Sequence, residues 1–160
     1  MSTPSLAERL VARLTADGQT LCSCESLTGG GVGAAITAVP GASATYVGGL
    51  ITYASALKVR LADVDDAFVA RHGVVNERTA REMATGARRR CDADWAVSTT
   101  GVAGPTEQDG APVGAVWVAV AGAGELVRAR RVTVPGDRAA VRAGAVDAAL
   151  ELLWETVAGE

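Results

Sequence analysis

The chain has 160 residues, of which 49% are hydrophobic and 21% charged, with a formal net charge of −3. That make-up belongs to one ordinary globular domain, here 1–160, long enough for a real core and too short for two comfortable ones. Mild acidity gives no electrostatic reason to expect nucleic acid, and no apolar run reaches the length of a membrane span, so neither is an expected partner.

Met1-Ser-Thr-Pro-Ser5 lacks a signal-peptide pattern, which makes the cytoplasm the expected location. Thr3-Pro4 predicts the start of a helix, cap then proline, whose Leu6, Leu10 and Leu14 form an apolar stripe that Gly18 terminates. Thr20 to Cys24 reads as a short buried strand. The turn from Glu25 through Gly31 leads into a helix over 28–39 carrying Val32, Ala35, Ile36 and Val39, stopped by Pro40-Gly41. Tyr46 to Tyr53 predicts a second strand, with Lys58 in the turn after it and short helices over 57–62 and 65–71. Asn76 caps a helix from Glu77 to about Arg90, where Arg88-Arg89-Arg90 suits the C-terminal end of the helix dipole better than a binding patch. Trp95 to Thr100 is a third strand, residues 101–112 a loop rich in glycine, proline and acids, and Val113–Ala121 with Leu126–Val134 a hairpin. Pro135-Gly-Asp137 starts a long helix reaching Trp154. Early alternation and a late hairpin predict an α/β fold: three layers, a mixed and mostly parallel sheet covered by helices on both faces.

Cys22, Cys24 and Cys91 read as buried reduced thiols, and with a single histidine, His72, no metal-ligand cluster of recognised spacing is present. His72, between Arg71 and Gly73, reads as a helix-end residue rather than a triad member.

Fourteen of the fifteen basic residues are arginine; Lys58 is the only lysine. Guanidinium does not readily lose its proton, whereas a buried ammonium shifts its pKa far enough to act as a base. A lone lysine is therefore either an accident of composition or a candidate for proton chemistry. Three glycine-bearing turns at strand ends, 25–31, 48–49 and 101–104, are where ligands bind in open α/β sheets. Gly29-x-Gly31-x-x-Ala34 imitates a dinucleotide fingerprint, but no acid occurs between Glu25 and Asp63 to hold a ribose, and no lysine follows the glycines as a phosphate loop needs. What is left is Ser26 beside a helix N-terminus whose free N–H groups could hold an oxyanion or phosphate, with Lys58 as the unusual base and Tyr53 able to converge on the same place. Serine at such a position is ordinarily an N-cap, and from the residue alone the cap is the preferred reading over the nucleophile.

Cys24-Glu-Ser-Leu-Thr-Gly-Gly30, Val39-Pro-Gly-Ala-Ser43, Gly48-Gly-Leu-Ile-Thr-Tyr53, Ala56-Leu-Lys58, Thr100-Gly-Val-Ala-Gly-Pro105 and Pro112-Val-Gly-Ala-Val-Trp117 resemble, in order, the motifs of the CinA (competence/damage-inducible) C-terminal domain family, over about residues 5–157. Stand-alone versions of that domain resemble nicotinamide mononucleotide deamidases, which release ammonia and nicotinate mononucleotide. The resemblance implies such a version here, without the molybdopterin-binding-like domain of longer members, with Ser26, Tyr53 and Lys58 catalytic. It also implies substrate contacts from Thr28, Gly29, Gly30, Thr100, Gly101 and Arg138, with Arg142 one helical turn from Arg138 as the competing position. Lys58 is expected to take the Ser26 proton directly or through the Tyr53 hydroxyl, its pKa depressed by burial and by Arg138. No metal or organic cofactor is required, and a homodimer or larger homo-oligomer is implied. The other function kept open is a non-catalytic nucleotide-binding or regulatory domain. Asn76 where the family usually has serine, Ala111 where a lysine often precedes the proline, and a 106–110 loop without the usual glycine pair are departures that bear on substrate affinity.

Overall fold

The structure, a computed structural model, describes residues 3–159; residues 1, 2 and 160 of the expected domain lie outside the described residues. The chain runs α1 (Leu6–Asp17), β1 (Leu21–Glu25), α2 (Gly31–Thr37), a 3-10 turn (Ala42–Ala44), β2 (Tyr46–Ile51), α3 (Ser55–Ala62), α4 (Asp66–His72) and α5 (Glu77–Cys91). It continues as β3 (Trp95–Gly101), β4 (Ala115–Ala121), β5 (Val127–Thr133) and α6 (Arg138–Ala158). The strands form one sheet in the order β2-β1-β3-β4-β5. β1 is parallel to both β2 and β3, and β4 is antiparallel to both β3 and β5, so β4 alone runs against the other strands. The mixed, mostly parallel sheet and its two helical layers are as expected. Among the described residues no helix is long and apolar enough to cross a membrane.

Side-chain size separates the two layers. Along β4, Val116, Val118 and Val120 point into the larger core with Leu10, Leu14, Ile36, Leu152 and Leu153 of α1, α2 and α6. Ala119 and Ala121 point the other way, onto Ala80 and Ala84 of α5. Cys22 and Cys24 of β1 share that second side with Ala62, Met83 and Ala87. Both thiols are buried, and burial pushes the Cys24 thiol up to about 11. Period-2 alternation thus gives one thick aliphatic face and one thin face of small residues, on which α5 sits close.

Gly86 sets the distance between α3 and α5: a Cβ there would stand 1.7 Å from the Ala62 carbonyl oxygen. Alanine gains about 1 kcal/mol of helix propensity, but overpacking against backbone costs about 1–3 kcal/mol or more. Gly86→Ala is therefore expected to lower the melting temperature by several degrees. An unchanged melting curve would show that the two helices are free to separate.

Several boundaries differ from the sequence-based expectation. α1 is capped by Ser5, not Thr3: the Ser5 side chain accepts the Glu8 N–H and the Glu8 carboxylate accepts the Ser5 N–H, a full capping box. α2 starts at Gly31 rather than residue 28, because Gly29 and Gly30 take left-handed φ values of 57° and 100° and keep Thr28–Gly30 a turn. Ser26 is therefore no helix cap. β2 ends at Ile51, leaving Tyr53 beyond the strand, and α3 starts at Ser55, so Lys58 lies inside the helix expected over 57–62 and not in the turn before it. Asn76 caps α5 as expected. Of the arginine cluster, Arg89 and Arg90 pair with Asp63 and Arg88 donates to the Asp94 carbonyl. His72 closes α4 with its ring 4.6 Å from that of Phe68.

Candidate active site

β1, β2 and β3 run the same way, and their carboxyl ends deliver three segments to one place. β1 hands over to Ser26 and Leu27, β2 to Tyr53 and Ala54, and β3 to Gly101 and the loop that follows. The connection leaving β1 passes over one face of the sheet through α2, and the one leaving β2 passes over the other through α3 and α5. β1 is thus a switch point at which a crevice opens. A cavity of about 590 Å³ lies there, bordered by Ser26, Tyr53, Lys58, Gly101, Glu107 and Arg138.

Ser26 is 8% exposed and Lys58 only 1%. Lys58 Nζ lies 2.9 Å from Ser26 Oγ, 2.6 Å from the Thr52 carbonyl oxygen and 3.4 Å from that of Tyr53. As an ammonium it donates to all three. As a neutral amine it keeps two N–H groups and one lone pair. The two carbonyls can only accept, so they take the N–H groups, and the lone pair is left for the Ser26 hydroxyl proton. Burial lowers the Lys58 pKa from 10.5 to about 8, while Cys24 and Asp109 act in the opposite sense. The Cys24 thiol, itself raised by burial, places no full negative charge beside the amine near neutrality. Burial, and not the expected Arg138, supplies the depression.

The expected residues separate into two groups. Ser26, Tyr53, Lys58, Gly101 and Arg138 all border the cavity. The Tyr53 side chain is 61% exposed, and its hydroxyl accepts from Arg138 Nη2 at 3.0 Å; it has no hydrogen bond to Ser26 or Lys58. The contact between serine and lysine is direct. Arg138 also donates to the Gly104 carbonyl at 2.6 Å, so it joins the Tyr53 side of the cavity to the Gly104 side.

Thr28, Gly29, Gly30 and Thr100 do not border this cavity. The Thr100 hydroxyl donates to the Val74 carbonyl at 2.9 Å, so it holds up a cavity wall instead of a ligand. The Thr28 hydroxyl donates to Glu25 Oε1 at 2.6 Å. Arg142 donates to the Leu27 and Thr28 carbonyls and buttresses the serine turn, which leaves Arg138 as the arginine at the cavity. The helix α2 N-terminus is also unavailable. Glu25 accepts the Val32 N–H at 2.8 Å and the Gly33 N–H at 3.1 Å, while Gly31 and Ala34 donate to the Thr28 and Gly30 carbonyls. The anion that this helix end attracts comes from within the chain.

Glu25, Thr99 and Asp109 were not singled out from the sequence. Glu25 is the only charged residue between Asp17 and Lys58, a signal that was available. Thr99 accepts the Ser26 N–H through its carbonyl at 3.1 Å. Asp109 accepts the Val74 N–H at 3.1 Å and packs on Gly73, closing the cavity wall from a loop that carries no regular pattern. Among the described residues no group of three or more histidines, cysteines or acids is placed to hold a metal ion.

The chain is similar to known proteins over nearly its whole length. Residues 3–157 match the sequence model of the CinA C-terminal domain. A CinA-like protein of Frankia casuarinae is 44% identical over 88% of this chain, which covers 32% of that protein. A putative competence-damage inducible protein of Lacticaseibacillus casei is 44% identical over 89% of this chain and 34% of its own length. The chain thus spans about a third of these curated relatives. Among solved structures, a CinA superfamily protein of Klebsiella pneumoniae superimposes with a TM-score of 0.91 at 35% identity, covering 97% of both chains. One from Escherichia coli gives 0.88 at 36% identity, covering 93% of this chain and 87% of that one. With the match running through every strand and helix that carries the cavity, this chain belongs to the CinA C-terminal domain family.

Proposed function

We propose that this domain is a serine–lysine amidase that hydrolyses nicotinamide mononucleotide to nicotinate mononucleotide and ammonia. The observation that carries the chemistry is the buried Lys58 Nζ, 2.9 Å from Ser26 Oγ with two carbonyls occupying its N–H groups. The substrate follows from the resemblance to stand-alone members of the family.

Neutral Lys58 takes the Ser26 proton as Oγ attacks the carboxamide carbon. Several backbone N–H groups of cavity-lining residues have no partner among the described residues, those of Leu27 and Ala103 among them, and are available to the oxyanion. Collapse of the tetrahedral adduct breaks the C–N bond, and the Lys58 ammonium returns its proton to the departing NH2 nitrogen, which leaves as ammonia. Water then gives a proton to Lys58 and attacks the ester, and Ser26 recovers its proton from Lys58 as nicotinate mononucleotide leaves. Ammonia release by the purified domain, with Ser26→Ala as control, tests this reading against a non-catalytic nucleotide-binding domain.

Arg138 is the cation suited to the substrate phosphate. A contact made equally in ground and transition states affects binding alone, so Arg138→Ala is expected to raise KM about tenfold or more, ~1.4 kcal/mol, with kcat within a few-fold. A collapsed kcat at unchanged KM would place Arg138 beside the reacting amide instead.

A further inference from the structure

We propose that Glu25 is a positioning residue for the Ser26 nucleophile, acting through a directed hydrogen-bond chain formed by Thr28 and Thr99. The proposal rests on the reading of Ser26 as nucleophile given above.

Glu25 is the last residue of β1 and is 2% exposed. Its Oε1 accepts from Thr28 Oγ1 at 2.6 Å and from the Val32 N–H at 2.8 Å. Its Oε2 accepts from the Gly33 N–H at 3.1 Å and from Ser23 Oγ at 3.3 Å. Backbone N–H groups only donate, so both carboxylate oxygens are held as acceptors, and that fixes every proton further along. Thr28 gives its proton to Glu25, so its oxygen can only accept from Thr99 Oγ1, 2.8 Å away. Thr99 thereby spends its own proton on Thr28 and keeps a lone pair toward the Ser26 N–H, at 3.4 Å, beside the 3.1 Å bond from that N–H to the Thr99 carbonyl. The main chain at the nucleophile is therefore set by a carboxylate that never meets the cavity.

Glutamine cannot replace it without rearrangement. An amide offers one accepting oxygen, so its NH2 must face either the Thr28–Val32 pair or the Gly33–Ser23 pair, donor against donor. The carboxylate also has an entrance of its own. A second cleft of about 210 Å³ reaches Glu25 between α2 and β2, bordered by Ser23, Gly33, Tyr46 and Gly49. Its walls are made by glycines: a Cβ on Gly33 would come within 2.6 Å of the Tyr46 hydroxyl, and one on Gly49 within 2.5 Å of Ser23 Oγ. Removing the glutamate side chain leaves a carboxylate-sized space with the α2 N–H groups pointing into it, open to a small anion from solvent.

The experiment measures kcat and KM with nicotinamide mononucleotide and, separately, the rate at which a small sulfonyl fluoride modifies Ser26. Glu25→Gln is expected to lower both kcat and the modification rate by tenfold or more, with KM within threefold and the alkaline rise of the pH profile unmoved, because Lys58 is untouched. Glu25→Ala is expected to lose more, and millimolar formate should restore part of its kcat and raise its melting temperature while leaving the wild type unaffected. Thr28→Val, a milder break in the chain, should give a smaller fall in the same direction. Wild-type rates in folded Glu25→Gln, or formate restoring the melting temperature of Glu25→Ala without restoring Ser26 reactivity, overturns the proposal and leaves Glu25 as packing only. If the alanine and glutamine variants both fail to fold, Thr28→Val decides: unchanged Ser26 reactivity overturns the relay. A wild type that is modified at Ser26 yet releases no ammonia would count against the substrate assignment alone.

Discussion

Lys58→Arg is expected to lower turnover by about 10²–10⁴, the worth of general-base catalysis, and by more where activation of a covalent nucleophile adds to it. Arginine preserves the charge and can still donate to the Thr52 and Tyr53 carbonyls, but a guanidinium has no lone pair to offer the Ser26 proton. A purely electrostatic or structural lysine would survive the change. Lys58→Met separates base from charge: it should be equally inactive, yet at pH 7 at least as stable as the wild type, because it removes a buried ammonium. The pH profile supplies an independent check. With the amine titrating at about 8, wild-type kcat/KM should climb through neutrality and level off above that value. At pH 7 only about a tenth of the enzyme holds the neutral amine. The folded pKa lies below the unfolded one, so between about 8 and 10.5 the unfolded chain binds more protons at this site. The lysine's contribution to stability therefore rises with pH across that window and is flat below it. An active Lys58→Arg enzyme with the wild-type profile would falsify the mechanism.

Ser26→Ala should remove ammonia release to the limit of detection, a loss of at least about 10³, while nucleotide binding remains measurable. Binding survives because Arg138 and the Gly101–Gly104 wall are held by contacts in which the Ser26 hydroxyl has no part. The fold should persist as well, since among the described residues the hydroxyl's only hydrogen-bond partner is Lys58 Nζ, which keeps two carbonyls. Activity within about tenfold of wild type would mean that only ~1.4 kcal/mol of transition-state stabilisation had gone, too little for a nucleophile. Mass spectrometry of a wild-type reaction quenched at steady state should find the acyl group on the Ser26 peptide, and none in the variant.

The sequence by itself determined the element order, the Leu6, Leu10 and Leu14 stripe with its Gly18 stop, and the singularity of the lone lysine. Each is a local property: a period, a turn residue, or a composition that makes one side chain unlike its peers. Ser26, Lys58 and Arg138 were legible for that reason, together with motifs that keep their spacing. The side of the backbone on which each motif residue acts was settled only by packing. Ser98 and Thr100 turn their hydroxyls toward α5 and its preceding loop, onto the Ala80 and Val74 carbonyls, while Thr99 between them reaches Thr28 in the serine turn. In a strand, one step along the chain reverses the face. A run such as Ser-Thr-Thr-Gly therefore looks uniformly polar in sequence, yet it divides between two layers when the sheet is covered. The same holds for the turn before α2, where glycines and a helix start suggested an open anion site. Folding brought the Glu25 carboxylate onto those N–H groups first, because a buried charge at the end of a central strand had no cheaper partner than the helix beside it.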